Sequence, residues 1–196
     1  MIEITPQKVT VAVVQMAEAG IRWIQIRLKS CSDRVLYHVV EQCVRRLDGA
    51  ATHLWVDDRA DVAALFPSVN VHVGQRDLPP WAARRVLNDG QWVGFSCHSE
   101  QQVVQAQKDS AVDVVACGPV FGTTGKKNPD PVIGLAGVRS ARDCTTKPLV
   151  AIGGVTLENA EQVLEAGADT VAVLGALCRG DVGHNSRRWM ALEDAR

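Results

Sequence analysis

Short apolar runs rich in Val, Ile and Trp recur along the chain, each followed by a turn and then by a longer stretch whose apolar positions fall at helical spacing. The runs predict eight strands: Ile2–Thr5, Trp23–Arg27, His53–Val56, Val69–Val73, Trp92–Ser96, Val112–Cys117, Leu149–Ile152 and Thr170–Leu174. Between them, Val9–Ala19, Arg34–Leu47, Pro80–Leu87, Glu100–Lys108, Leu135–Arg142 and Leu157–Ala166 predict helices, with a shorter one at Asp61–Leu65. A helix-length crossover between successive strands forces them to pair in parallel. The repeat order predicts an α/β fold: one parallel, eight-stranded (β/α)8 barrel domain over residues 1–196, with an open flavodoxin-like sheet as the alternative.

One connection departs from this economy. Gly118 to Gly134 carries four Gly and three Pro among small polar and basic residues, with no strand or helix period of its own. A long loop in an otherwise compact domain marks a functional segment.

Composition narrows the function classes. The chain has 196 residues, with Lys plus Arg 21 against Asp plus Glu 22 and a formal charge of −1, so it lacks the basic surface that non-specific nucleic-acid binding requires. Val9 to Ala17 is short, interrupted by Gln15 and preceded by Glu3, unlike a signal peptide, and no segment reaches the roughly 20 apolar residues of a membrane span. The expectation is a cytoplasmic protein acting on small molecules, with no nucleic-acid or membrane partner; a homo-oligomer is left open. Six scattered cysteines without paired short spacing read as reduced thiols.

In a parallel barrel the active site is built at the carboxyl ends of the strands. Gln25, Arg27 and Lys29 alternate there, so an extended backbone puts all three on one face. A guanidinium fork and a mobile ammonium suit a diphosphate, although a polar strand end facing water has the same pattern. Asp58 and Asp77 are the carboxylates expected to face each other across neighbouring strand ends, as Mg²⁺ ligands with substrate phosphates completing the shell. Each could instead serve a helix start. The turns Ile152-Gly153-Gly154 and Leu174-Gly175-Ala176 let backbone N–H groups approach an anion. His98, directly after the fifth expected strand, could transfer a proton or sit beside a helix cap at Ser99, whereas His72 and the five tryptophans read as core.

Taken in order, Gln25-Ile-Arg27-Leu-Lys29, Asp57-Asp58-Arg59, His72-Val-Gly74-Gln75-Arg-Asp77, Ser96-Cys-His98, Gly118-Pro119-Val-Phe121, Thr123 through Lys126, Ala151-Ile-Gly153-Gly154 and Ala172-Val-Leu174-Gly175 resemble the thiamine phosphate synthase family over about residues 2 to 178. The resemblance implies an enzyme, a transferase that joins a pyrimidine carried as a methyl diphosphate to a thiazole phosphate with release of pyrophosphate. It implies that Gln25, Arg27 and Lys29 hold the diphosphate, with Ser96 and Lys126 adding contacts, and that Arg27, Lys126 and Ser96 carry the catalytic role. Asp58 and Asp77 would take Mg²⁺. Thr123, Gly125, Gly154, Leu174 and Gly175 would hold the thiazole phosphate. Three positions depart from the family pattern: Asp57 stands where Asn is usual, Gly125 where Thr is expected and Gly175 where Ser is common. Asp57 would bring a further negative charge to the diphosphate unless it faces Mg²⁺ or the pyrimidine amino group. The alternatives are the sister group of thiazole tautomerases, with His98 as the proton carrier, and a non-catalytic thiamine phosphate-binding regulator.

Overall fold

The computed structural model describes residues 6–123 and 130–194. They fall into two compact units, each built of parallel βα repeats. The first unit runs to His72 and adds Val86–Gln91 and Leu177 onward. It carries β1 (Trp23–Ile26), β2 (His53–Asp57) and all but the last residue of β3 (Val69–Val73), with α1 (Pro6–Glu18), α2 (Asp33–Arg46), α3 (Ala60–Ala64) and most of the last helix stretch. The second comprises Val73–Arg85 and Trp92–Ala176. It holds α4 (Pro80–Val86, apart from its last residue), β4 (Val93–Cys97), α5 (Glu100–Lys108), β5 (Val114–Cys117), α6 (Gly134–Cys144), β6 (Leu149–Ile152), α7 (Ala160–Glu165) and β7 (Thr170–Ala172).

In the first unit β1 pairs with β2 and β2 with β3, all parallel, with Gln25 opposite Trp55 and Asp57 opposite His72. Ile24, Ile26, Leu54, Val56, Val69 and Val71 bury on these strands, and α2 adds Leu36, Val39 and Val40. Burying each such side chain stabilises by roughly 1.5–3 kcal/mol. Ser32 starts α2 by accepting from Val35 N, and Arg45 and Arg46 sit in the last turn where the helix dipole favours cations. Gln91 is fully buried and satisfied: its amide donates to Ala63 O (3.0 Å), Phe66 O (3.2 Å) and Val69 O, and its oxygen accepts from Asn88 N (2.6 Å).

The second unit repeats one device at the amino ends of its strands. Asp113, just before β5, accepts from Val93 N at 2.7 Å and holds Arg84 of α4. Asp169, just before β7, accepts from Leu149 N at 2.7 Å and holds Arg142 of α6 at 2.9 Å. Each carboxylate thus ties a strand start to the neighbouring strand and to a helix, which is the stabilising end of a βα repeat.

Apart from Ile2–Thr5, the expected helices and strands recur with shifts of a few residues at their ends. Two differences alter the picture. Among the described residues the strands number seven, so the closed eight-stranded barrel is not what they form; the remaining expected strand, Ile2–Thr5, lies outside them. A strand of a closed parallel barrel is buried on both faces, yet Thr170 and Ala172 of β7 are exposed and the expected continuation to Leu174 gives way to a helical turn, α8 (Gly175–Cys178). The second difference is α9 (Val182–Asp194), which the sequence pattern does not reveal; Asp181 starts it by accepting from His184 N at 2.8 Å, and it packs on α1 in the first unit. Of the tryptophans read as core, Trp55 and Trp189 are buried, whereas Trp81 is 58% exposed and Trp92 37%. No helix among the described residues is long and apolar enough to cross a membrane, and all six cysteines are free thiols.

Candidate active site

At the end of β1, buried Ile24 and Ile26 alternate with half-buried Trp23 and exposed Gln25, and the strand stops at Ile26. Arg27 and Lys29 therefore lie past the ladder, yet all three polar side chains still converge. Gln25 Nε2 donates to Asp57 Oδ1 at 2.6 Å, Arg27 Nε lies 3.2 Å and Lys29 Nζ 3.0 Å from Asp57 Oδ2, and Lys29 also donates to Asp58 Oδ2. Asp57, at the carboxyl end of β2, has a side chain only 11% exposed, and it organises the cluster. The charge of Asp57 is thereby offset by Arg27 and Lys29.

Asp58 adopts the left-handed region, φ 64°, which an Asp tolerates better than most residues. Its N–H donates to His72 O at 2.8 Å, and its carboxylate faces Lys29 instead of starting α3, whose first cap position is Arg59. Arg59 is occupied with Asp61 (2.6 Å) and Asp33 (2.5 Å). The Arg59 guanidinium holds the Asp61 carboxyl below the usual range, and Asp61 and Asp33 in turn raise Arg59. For Lys29, burial works against the charge, but the Asp58 and Asp57 carboxylates outweigh it and hold the ammonium above its ordinary value. Two carboxylates sharing one cation form a hard, anionic donor set, so Asp58 has the chemistry a divalent ion needs. Among the described residues no three His, Cys, Asp or Glu side chains gather into a metal cage.

In the second unit Asp77 is exposed and its carboxylate turns back to accept from Gly74 N at 2.8 Å; the described contacts do not make it the cap of α4. Gln75 Nε2 donates to Ser96 O at 2.6 Å, and the Ser96 side chain is nearly buried at the end of β4. Ser99, not His98, starts α5 by accepting from Gln102 N. His98 Nδ1 lies 2.6 Å from Gly118 O and its Nε2 3.4 Å from Asp130 Oδ2, so both ring nitrogens have protein partners. Asp130 is a residue the sequence pattern misses, because nothing in a Gly- and Pro-rich loop marks the position that folds back onto a strand.

The described parts of the Gly118 to Gly134 loop are pinned to the end of β6: Val120 N donates to Ile152 O (2.9 Å) and Phe121 N to Gly153 O (3.0 Å). Gly153 (φ 93°) and Gly154 (φ 68°) are required twice over: a Cβ on Gly153 would meet Pro119 Cβ at 2.5 Å, and one on Gly154 would meet Phe121 Cβ at 2.7 Å. Their glycine identity comes first from this close approach. Leu174 is 54% exposed at the start of α8, beside Gly175, and Thr123 is half-buried. Gly125 and Lys126 lie outside the described residues.

A parallel α/β protein with Arg, Lys and paired Asp at one strand end, and glycine turns at others, carries groups of the kind that suit phosphate esters. Comparison with known proteins makes this specific. Residues 2–177 match the family model described as thiamine monophosphate synthase. The chain is 44% identical over 163 residues to the thiamine-phosphate synthase of Koribacter versatilis, covering 83% of this chain and 76% of that one. It is 35% identical over 164 residues to that of Clostridium novyi, covering 84% and 80%. Among solved structures, thiamine phosphate pyrophosphorylase from Pyrococcus furiosus superposes with a TM-score of 0.86 at 29% identity, covering 95% of this chain and 89% of that one. The chain belongs to the thiamine monophosphate synthase family, and it is a transferase.

Proposed function

We propose that the chain couples hydroxymethylpyrimidine diphosphate to thiazole phosphate, giving thiamine phosphate and pyrophosphate by a dissociative displacement. The observation that carries this reading is the convergence of Gln25, Arg27 and Lys29 on Asp57, which holds two cations ready at one strand end. Arg27 and Lys29 bind the diphosphate and stabilise the charge that builds on pyrophosphate as its oxygen takes the electron pair of the breaking C–O bond. The thiazole nitrogen supplies the pair for the new C–N bond, so no protein nucleophile is used. The aminopyrimidine ring spreads the positive charge on its methylene carbon during the exchange.

In the first unit Asp58 is the residue that would hold Mg²⁺, which supplies further neutralisation of the diphosphate; Asp77, turned onto Gly74 N, is the second unit's own candidate. Ser96 and Lys126 are the second unit's own proposed phosphate contacts. Thr123, Gly125, Gly154, Leu174 and Gly175 take the thiazole phosphate, largely through backbone N–H groups. The engagement of both His98 nitrogens within the protein supports the synthase over a tautomerase that needs a free imidazole. The chain works on small molecules in the cytoplasm.

The test is to mix both substrates with Mg²⁺ and follow pyrophosphate with a coupled assay. Release that falls at least 100-fold in Arg27→Ala supports the reading. No release from the parent chain, whether thiamine phosphate binds or the thiazole only tautomerises, overturns it.

A further inference from the structure

His98 sits at the end of β4, 14% exposed, with its main-chain N–H fixed by Gln102 Oε1 at 2.6 Å. Its ring touches the loop after β5 at two points far apart in sequence. Nδ1 lies 2.6 Å from the carbonyl of Gly118, where the loop leaves the strand, and Nε2 lies 3.4 Å from Asp130 Oδ2, where the loop returns. A carbonyl oxygen can only accept, so Nδ1 must carry the proton. Main-chain bonds close the same stems, with Gly118 N on Cys97 O at 3.2 Å and Ile133 N on Pro119 O at 2.9 Å. Nδ1–H thus bonds the first stem to the strand end next to Ser96, and Nε2 bonds Asp130 on the second stem when it too carries a proton.

We infer that His98 is a positioning residue for the coupling reaction: its Nδ1–H holds the Gly118 carbonyl and its Nε2 faces Asp130, so the loop stem that presents Thr123 keeps one geometry. This rests on the proposed function for the substrate, but the contact itself does not. The ring transfers no proton in this role. Its hydrogen-bonding direction is what counts, so a side chain that donates from the same place can replace it. Asn puts an amide N–H near the Nδ1 position, and Gln puts one near Nε2.

Two measurements test the inference. On the intact chain, ¹⁵N-edited NMR of the histidine rings, with the His98 signal assigned by its loss in His98→Asn, should show Nδ1 protonated. An Nε2–H neutral tautomer overturns the inference, and this readout does not need turnover. In steady-state kinetics, His98→Ala and His98→Gln should raise KM for the thiazole phosphate about 10- to 100-fold, the scale expected when a contact is displaced by about 1 Å, while His98→Asn stays within about threefold of the parent. Equal losses in all three variants, as for a proton carrier, or no loss in His98→Ala, overturn it. Thermal midpoints separate these results from misfolding. If His98→Ala fails to fold, the contrast between His98→Asn and His98→Gln decides alone.

Discussion

Asp57→Asn tests the electrostatics of the cluster most directly. The carboxylate lies 3.2 Å from Arg27 and 3.0 Å from Lys29, so it holds two cations that the proposed diphosphate must share. Asn keeps an oxygen to accept from Gln25 and nearly the same volume, but it removes one unit of negative charge. A like charge 4 Å from a diphosphate oxygen would cost about 4 kcal/mol at an effective dielectric of about 20. That is an upper bound, because Arg27 and Lys29 are 35% and 46% exposed and solvent screens pairs of this kind. A gain of about 1–2 kcal/mol in binding is left, which is roughly a 5- to 30-fold tighter Kd. Titration calorimetry with magnesium pyrophosphate, at low and high salt, measures it, and KM for the pyrimidine diphosphate should fall in parallel. An unchanged or weaker Kd in Asp57→Asn would refute the reasoning, because it would mean that Asp57 serves the ligand itself.

The remaining expectations concern stability and reactivity. Asp169→Ala should cost about 1–3 kcal/mol by leaving Leu149 N and Arg142 without their carboxylate, lowering the thermal midpoint while kcat stays unchanged, since this end of the repeat takes no part in the proposed chemistry. Gln91→Leu should cost about 1–3 kcal/mol in chemical denaturation by taking the amide from Val69 O and leaving Asn88 N without Gln91 Oε1, while Ala63 O and Phe66 O keep backbone donors; a loss below about 0.5 kcal/mol would show that these groups find other partners. Burial pushes the thiols of Cys97 up to about 12 and of Cys43 and Cys117 up to about 11, so at pH 8 a disulfide reagent should label these three only after denaturant is added, and fast labelling of any of them in the native chain would contradict the packing. Because Lys29 is raised on folding, its contribution to stability is complete below the ordinary lysine value of about 10.4 and is lost as pH rises through the higher folded value. The difference in stability between the parent and Lys29→Met should therefore stay flat from pH 7 to about 10 and shrink above that, and a decline near pH 8 would be inconsistent with it.

Most elements of the fold are legible because the strands are buried runs of Val, Ile and Leu punctuated by turns, a pattern that burial on both faces imposes. Glu100–Lys108 and Leu149–Ile152 fall where the pattern places them. The α9 helix is not legible, because its Gly183, Asn185, Arg187 and Arg188 dilute the apolar stripe that packs on α1. The last strand is overextended for a related reason: Val173 and Leu174 continue the apolar run, while the backbone already turns toward α8. Glycines 153 and 154 are legible as a turn, but the Pro119 and Phe121 contacts that require them come from a loop more than thirty residues away.

The candidate site shows the same boundary between what is local and what is not. Residue types at strand ends can be read along the chain, so Gln25, Arg27, Lys29, Asp57 and Asp58 all stand out; which of them satisfy one another cannot. Within this cluster the formal charges of Arg27, Lys29, Asp57 and Asp58 cancel, so a diphosphate meets little net attraction until a divalent cation joins the carboxylates or Asp57 is neutralised. Metal and diphosphate affinity are then linked, and each must strengthen the other by the same factor. Pyrophosphate titrated with and without Mg²⁺ should show a larger ratio of affinities for the parent than for Asp57→Asn. Equal ratios would mean that the two cations bind phosphate without regard to the carboxylates between them, and the charge argument for this site would fall.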